Sequence, residues 1–155
     1  MILRSAAAVG AALLLGSALP APDSGAGRYQ FGAALPAASM IDALGCDGRP
    51  MASETVVTAA GPVWLQAMAN LKTGLVEELE FTPAAGSRTA DVAACVVERD
   101  RFAALLGGGA IVAGPVIDQG QLWSAAATQP GGRQLLARWF PGGGTCEIGV
   151  KWIKP

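Results

Sequence analysis

The sequence predicts an α+β domain, an antiparallel-rich sheet with one main helix and one short helix packed on one face. Three observations carry this. Residues 90–106 place Val92, Cys95, Val96, Phe102, Ala103 and Leu106 near one helical face. Residues 145–153 alternate, with Cys146, Ile148, Val150 and Trp152 on one side and Glu147, Gly149 and Lys151 on the other. Turns rich in Gly and Pro cut the remainder into short segments of strand length.

The chain opens with Arg4, an apolar run over 6–15 and small residues beyond it, the three parts of a secretion signal. Cleavage is expected after Ala18, giving a signal over 1–18, or as late as Ala21, where Pro22 would follow the cut. The run is about half of the roughly 20 residues that cross a hydrocarbon core, so any membrane attachment would rest on an uncleaved signal alone. Residues 19–37, rich in Pro, Ala, Gly and Ser, read as a flexible leader, and 38–155 as a single domain.

Within that domain, Met40, Ile41 and Leu44 suggest one or two helical turns before the turn-like residues 46–50. Residues 55–70 read as strand, broken at Gly61 and Pro62 and resumed at Val63, Trp64 and Leu65. After a turn at Lys72, Thr73 and Gly74, Leu75, Val76, Leu79 and Phe81 alternate imperfectly with Glu77, Glu78 and Glu80, which predicts a strand with its acids toward water. The helix over 90–106 is capped by Thr89 or Ser87, has Asp91 near its positive end, and stops at Gly107. Residues 108–117, 121–128 and 145–153 read as strands, and 134–140 as the short helix, ended by Pro141 and the glycines after it. The predicted order is β-β-α-β-β-α-β.

Charge and composition narrow the function. Once Arg4 leaves with the signal, 10 basic and 12 acidic side chains remain, a balance of −2 that attracts neither nucleic acid nor an anionic membrane. Histidine is absent, and Cys46, Cys95 and Cys146 form no CxxC pattern, so no metal site and no cofactor are expected. A serine or cysteine nucleophile would lack its base, and no GxSxG, SxxK or phosphate-cradling glycine pattern occurs, so no catalytic residue is assigned. Glu78 and Glu80 share a strand face, which acid/base catalysis can use, but charge on the wet side of a strand needs no function. Glu98, Arg99, Asp100 and Arg101 read in the same way, as a solvated helix face.

An oxidising compartment pairs two of the three cysteines. The helical stripe turns Cys95 inward and the strand alternation turns Cys146 inward, so Cys95 with Cys146 is the expected disulfide. Cys46 would then be free to link a dimer or a partner, while the rival pairing, Cys46 with Cys95, would tie the amino-terminal segment to the helix. Among the four tryptophans, Trp123 and Trp152 are the candidates for a binding surface, because both lie in amphipathic strands near loops.

Residues 63–102 resemble the carboxy-terminal domain of TonB-family proteins: an apolar strand over 63–68, Gly74 and Val76, a second strand to Phe81, the small-residue turn Ala84, Ala85, Gly86, and a helix through Asp91, Ala94 and Val97 to Phe102. The resemblance implies recognition of a protein or peptide in the cell envelope. The membrane helix and long proline-rich spacer of an energy transducer have no counterpart here, so coupling to an inner-membrane motor is not implied. The expectation is a non-enzymatic periplasmic or secreted binding or assembly domain. The alternatives are an envelope inhibitor or small-ligand-binding protein, and an enzyme using carboxylates.

Overall fold

The computed structural model of the chain describes residues 25–36 and 48–154. The signal segment, the cluster of Met40, Ile41 and Leu44, and Cys46 with its dimer role lie outside the described residues. The elements in chain order are β1 (Met51–Thr58), β2 (Gly61–Ala69), β3 (Val76–Pro83), β4 (Ser87–Arg88), α1 (Val92–Leu105), β5 (Val112–Asp118), β6 (Trp123–Gln129), β7 (Arg133–Phe140) and β8 (Thr145–Ile153). Every strand pairing is antiparallel, and the sheet runs β1-β2-β3-β8-β7-β6-β5, with β4 as a short additional partner of β8. The last strand therefore enters the middle of the sheet and joins two meanders, β1–β3 and β5–β8.

The structure bears out the α+β class and the antiparallel sheet, but among the described residues it has one helix, not two. The predicted short helix over 134–140 is β7. Leu, Ala, Arg and Gln favour helix locally, but here tertiary pairing overrides that preference. β7 is paired along its length to β8 on one side and over seven residues to β6 on the other. Its side chains alternate accordingly, with Arg133, Leu135 and Ala137 buried and Gln134 and Leu136 outward. The hairpin into β7 turns on Gly131 and Gly132, both at positive φ.

The main helix forms where the sequence placed it. Its cap is Asp91, whose Oδ1 accepts the Ala94 N–H at 2.8 Å, rather than Thr89 or Ser87. It ends at Leu106 and Gly107, the glycine at φ +75°. Cys95, Arg99, Phe102, Ala103 and Leu106 make the buried stripe, which packs on β6, β7 and β8. Arg99, predicted on the solvated face, is 1% exposed: its Nε and Nη2 bind Asp100 Oδ1 at 2.8 and 2.7 Å, and its Nη1 donates to the Ala125 carbonyl at 2.9 Å.

The inner faces of β1–β3 have a different cover. Residues 25–36, predicted to be part of the flexible leader, instead form a strap with Ala26, Tyr29 and Leu35 buried in the main core beside Ala52, Val63, Leu65 and Leu79. The strap is held by backbone bonds, from Gly32 N–H to the Val76 carbonyl at 2.9 Å and from Val76 N–H to the Ala33 carbonyl at 2.8 Å. These satisfy backbone groups of β3 beyond the end of its pairing with β8, which starts at Glu78. Phe81 and Trp152 meet where the two meanders join, with ring centroids 4.9 Å apart.

Candidate functional site

Besides register shifts in the β2–β3 and β5–β6 pairings, the sheet has a gap between β3 and β8. Phe81 to Glu78 pair with Val150 to Ile153, and the next partners on that side of β8 are Ser87 and Arg88 of β4, opposite Cys146 and Thr145. Glu147, Ile148 and Gly149 therefore have no strand partner there, although β7 pairs with all three on the other side. The cause is local. β3 stays with β2 through Thr82 and Pro83, and Ala84 N–H donates to the Pro62 carbonyl at 3.0 Å, so the chain leaves β8 before β4 brings it back.

The space that opens is a cleft of about 610 Å³. Glu80, Thr82, Arg138 and Glu147 reach it from the outer face of the sheet, and Glu98, Arg101, Phe102 and Leu105 from α1. Neither Arg101 nor Arg138 has a charged nitrogen within 4 Å of a carboxylate oxygen of Glu80, Glu98 or Glu147, so both signs of charge are presented with no ion pair among the five. Phe102, Leu105, Leu136 and Ile148 supply apolar surface. A Cβ at Gly149 would lie in ordinary van der Waals contact with Glu80 Oε1 at 3.4 Å and the Thr82 methyl at 3.5 Å, which places these two side chains beside the unpaired stretch of β8.

Cys95 and Cys146 sit at disulfide-bonding distance, S–S 2.02 Å and Cα–Cα 5.5 Å, the pair expected from the two stripes. Cys146 lines the cleft, so this link ties the helix to the strand that carries the open side.

The two tryptophans proposed from sequence are not brought together. Trp152 is fully buried, a correction, because it lies on the inner face of β8 against Phe81 and beneath the Arg133 guanidinium, whose carbon is 4.1 Å from the indole centre. Trp123 is half-buried, in one cross-strand row with Trp139 and Cys146, whereas Trp152 shares its row with Arg133 and Gln129 near the other end of β7. Neither lines the cleft. Trp64, on the outer face of β2, is the tryptophan that reaches solvent, at 46% exposure.

The acidic strand is also corrected. Glu78 is 6% exposed, held by Arg49 Nη2 at 3.1 Å and Lys151 Nζ at 2.6 Å, so it serves the fold. Glu77 pairs with Arg49 at 3.4 Å and accepts from Asn70 Nδ2 at 2.8 Å. Of the three, only Glu80 reaches the cleft. Sequence reasoning missed Arg101, Arg138 and Glu147 because nothing local marks an interrupted pairing. The one available signal was the small-residue turn Ala84, Ala85, Gly86 before two polar residues, too short to continue a strand.

Among the described residues, no group of three or more His, Cys, Asp and Glu side chains is placed to hold a metal ion, and no helix is long and apolar enough to cross a membrane. No protein-family model, curated protein or solved structure matches the chain. The class that fold and site define is therefore structural: an antiparallel α+β domain whose central strand is open on one side within a charged cleft.

Proposed function

We propose that this chain is an extracytoplasmic, non-catalytic binding domain that takes an extended segment of an envelope protein or peptide into the cleft and adds it as a strand along the open side of β8. The observation that carries this reading is the unpaired side of Glu147, Ile148 and Gly149 inside a cleft lined with charges of both signs. Backbone N–H and C=O groups on an open strand edge give a peptide affinity without regard to its sequence, and the flanking side chains choose among sequences. The resemblance of residues 63–102 to the TonB carboxy-terminal domain points toward the same mode, and the apolar run after Arg4 toward export.

A random-peptide display library panned on the oxidised domain tests the proposal. Enriched peptides are expected to lose affinity tenfold or more against Leu105→Asp, since Leu105 lines the cleft and is 44% exposed. Val57→Asp, on β1 at 80% exposure and away from the cleft, serves as the control and should bind unchanged. Enrichment of no peptide, or sensitivity to Val57→Asp alone, would remove the reading.

One observation favours the second reading, a small-ligand-binding protein: the cleft volume falls within the roughly 300–1,000 Å³ usual for small-molecule sites. In that case a compound would protect the cleft side chains and leave the exchange of β8 amides unchanged.

A further inference from the structure

Two arginines are buried in this domain, and only one has its donors met. Arg99 binds Asp100 and the Ala125 carbonyl. Arg133, 3% exposed, has one weak bond, from Nη2 to the Leu106 carbonyl at 3.4 Å, while its Nε and Nη1 have no partner. No carboxylate oxygen of the described residues lies within 4 Å of its guanidinium. Burial lowers its pKa to about 10, and its one cation-stabilising neighbour among the described residues is the face of the Trp152 indole, 4.1 Å away.

Its neighbours share the deficit. Trp152, directly opposite on β8, is fully buried with Nε1 unpartnered, and Gln129, directly opposite on β6, is 6% exposed with Oε1 unpartnered. Gln129 Nε2 is committed to the Gly109 carbonyl at 2.7 Å. One cross-strand row thus holds three unpartnered donor atoms (Arg133 Nε, Arg133 Nη1 and Trp152 Nε1) and a single spare acceptor, Gln129 Oε1. A buried charge left in this state is unfavourable, and a negatively charged acceptor meets both the charge and the excess of donors.

The space is small. Residues 106–109 close over this row: the Leu106 carbonyl meets Arg133, the Gly109 carbonyl meets Gln129, and a Cβ on Gly108 would collide with the Gln129 amide, so any occupant is compact. We infer that Arg133, Trp152 and Gln129, beneath the 107–109 loop, form a buried site for a compact monovalent anion, a halide or a single carboxylate group. The site is separate from the cleft, whose lining includes none of these residues.

The test is a titration of the oxidised protein with sodium chloride or sodium formate, at an ionic strength held constant with sodium gluconate, whose anion is too bulky to enter. The readout is the ¹H–¹⁵N signals of the four indole N–H groups, with Trp152 assigned from the signal lost in Trp152→Phe. A saturable shift of the Trp152 signal alone, with chloride or with formate, is expected. It should vanish in Arg133→Met, which keeps an apolar stem over the indole and removes the charge. Response to chloride but not formate assigns a halide, and response to formate assigns a carboxylate. A Trp152 signal unmoved by both salts in the unmodified protein, or equal drift of all four indoles, overturns the site whatever the variants do.

Discussion

The two meanders bury their inner faces by different means. The carboxy-terminal one, β6–β8, lies under a 14-residue helix fixed to β8 by Cys95 and Cys146. The amino-terminal one, β1–β3, lies under the strap of residues 25–36, which has no regular helix or strand and is held by two backbone bonds to Val76 and by Tyr29 in the core. The helix is long, rigid and covalently tied. The strap is short and docks at the Val76 end of β3, leaving the Pro83 end to curve away with β2. The two covers share one core, with Ala26, Tyr29 and Leu35 of the strap and Phe102, Ala103 and Leu106 of the helix in the same cluster, and the cleft lies where β3 leaves β8. The opening thus follows from β3 staying with β2 and leaving the central strand before β4 rejoins it, not from either cover.

Changes at three places probe this contrast, in order of expected size. Removing the link between helix and strand should have the largest effect. Replacing both Cys95 and Cys146 by alanine frees a loop with a sequence separation of 51, worth about 4 kcal/mol in the chain-entropy model and a large part of a small domain's margin. Denaturant melts should show this loss, and oxidised and reduced wild type should differ by a similar amount. A loss under 1 kcal/mol would mean that α1 holds β6–β8 by packing alone.

Next comes the strap. Tyr29→Ala removes a fully buried ring from the main core and is expected to cost about 3 kcal/mol, measured by the same melts. If the strap were only an ordered tail, the change would be within error and the asymmetry between the two covers would be greater than described.

The smallest effect is at the helix start. Asp91→Ala leaves the Ala94 N–H without its acceptor and should cost about 1 kcal/mol, while Asp91→Asn should recover most of it. Equal loss in both would point to charge at the helix end rather than capping geometry.

What the sequence revealed follows the range of the interactions involved. Cys95 and Cys146 were placed correctly because each lay in a strong local pattern, a helical stripe in one case and a period-two alternation in the other. The helix over 134–140 failed where local preference met two-sided pairing, although the alternation of Arg133, Leu135, Ala137 and Trp139 was present to be read. The strap was missed because Tyr29 and Leu35 stand alone among small residues, and their burial depends on a partner surface far along the chain. Arg99 and Arg133 are invisible for a related reason: burial of a charge is set by what packs against it, here β6 against Arg99 and the end of α1 against Arg133. The cleft itself was not legible, because a gap in pairing between β3 and β8 leaves no trace in either strand's own pattern.

The open side of β8 is tested most directly by amide hydrogen exchange at Glu147, Ile148 and Gly149. Successive residues of an antiparallel strand turn their N–H groups to opposite neighbours, so among these three amides those facing β7 are bonded and those facing the cleft are open. The prediction is alternation in the free protein, with slow exchange toward β7 and fast exchange toward the cleft, whereas Leu135 and Ala137 of β7, paired on both sides, are slow throughout. Saturation with a cleft-binding peptide should slow the fast amides by a hundredfold or more, as about 3 kcal/mol of added protection requires. Uniformly slow exchange at all three residues in the free protein, or no slowing when peptide is bound, would contradict strand addition at this site.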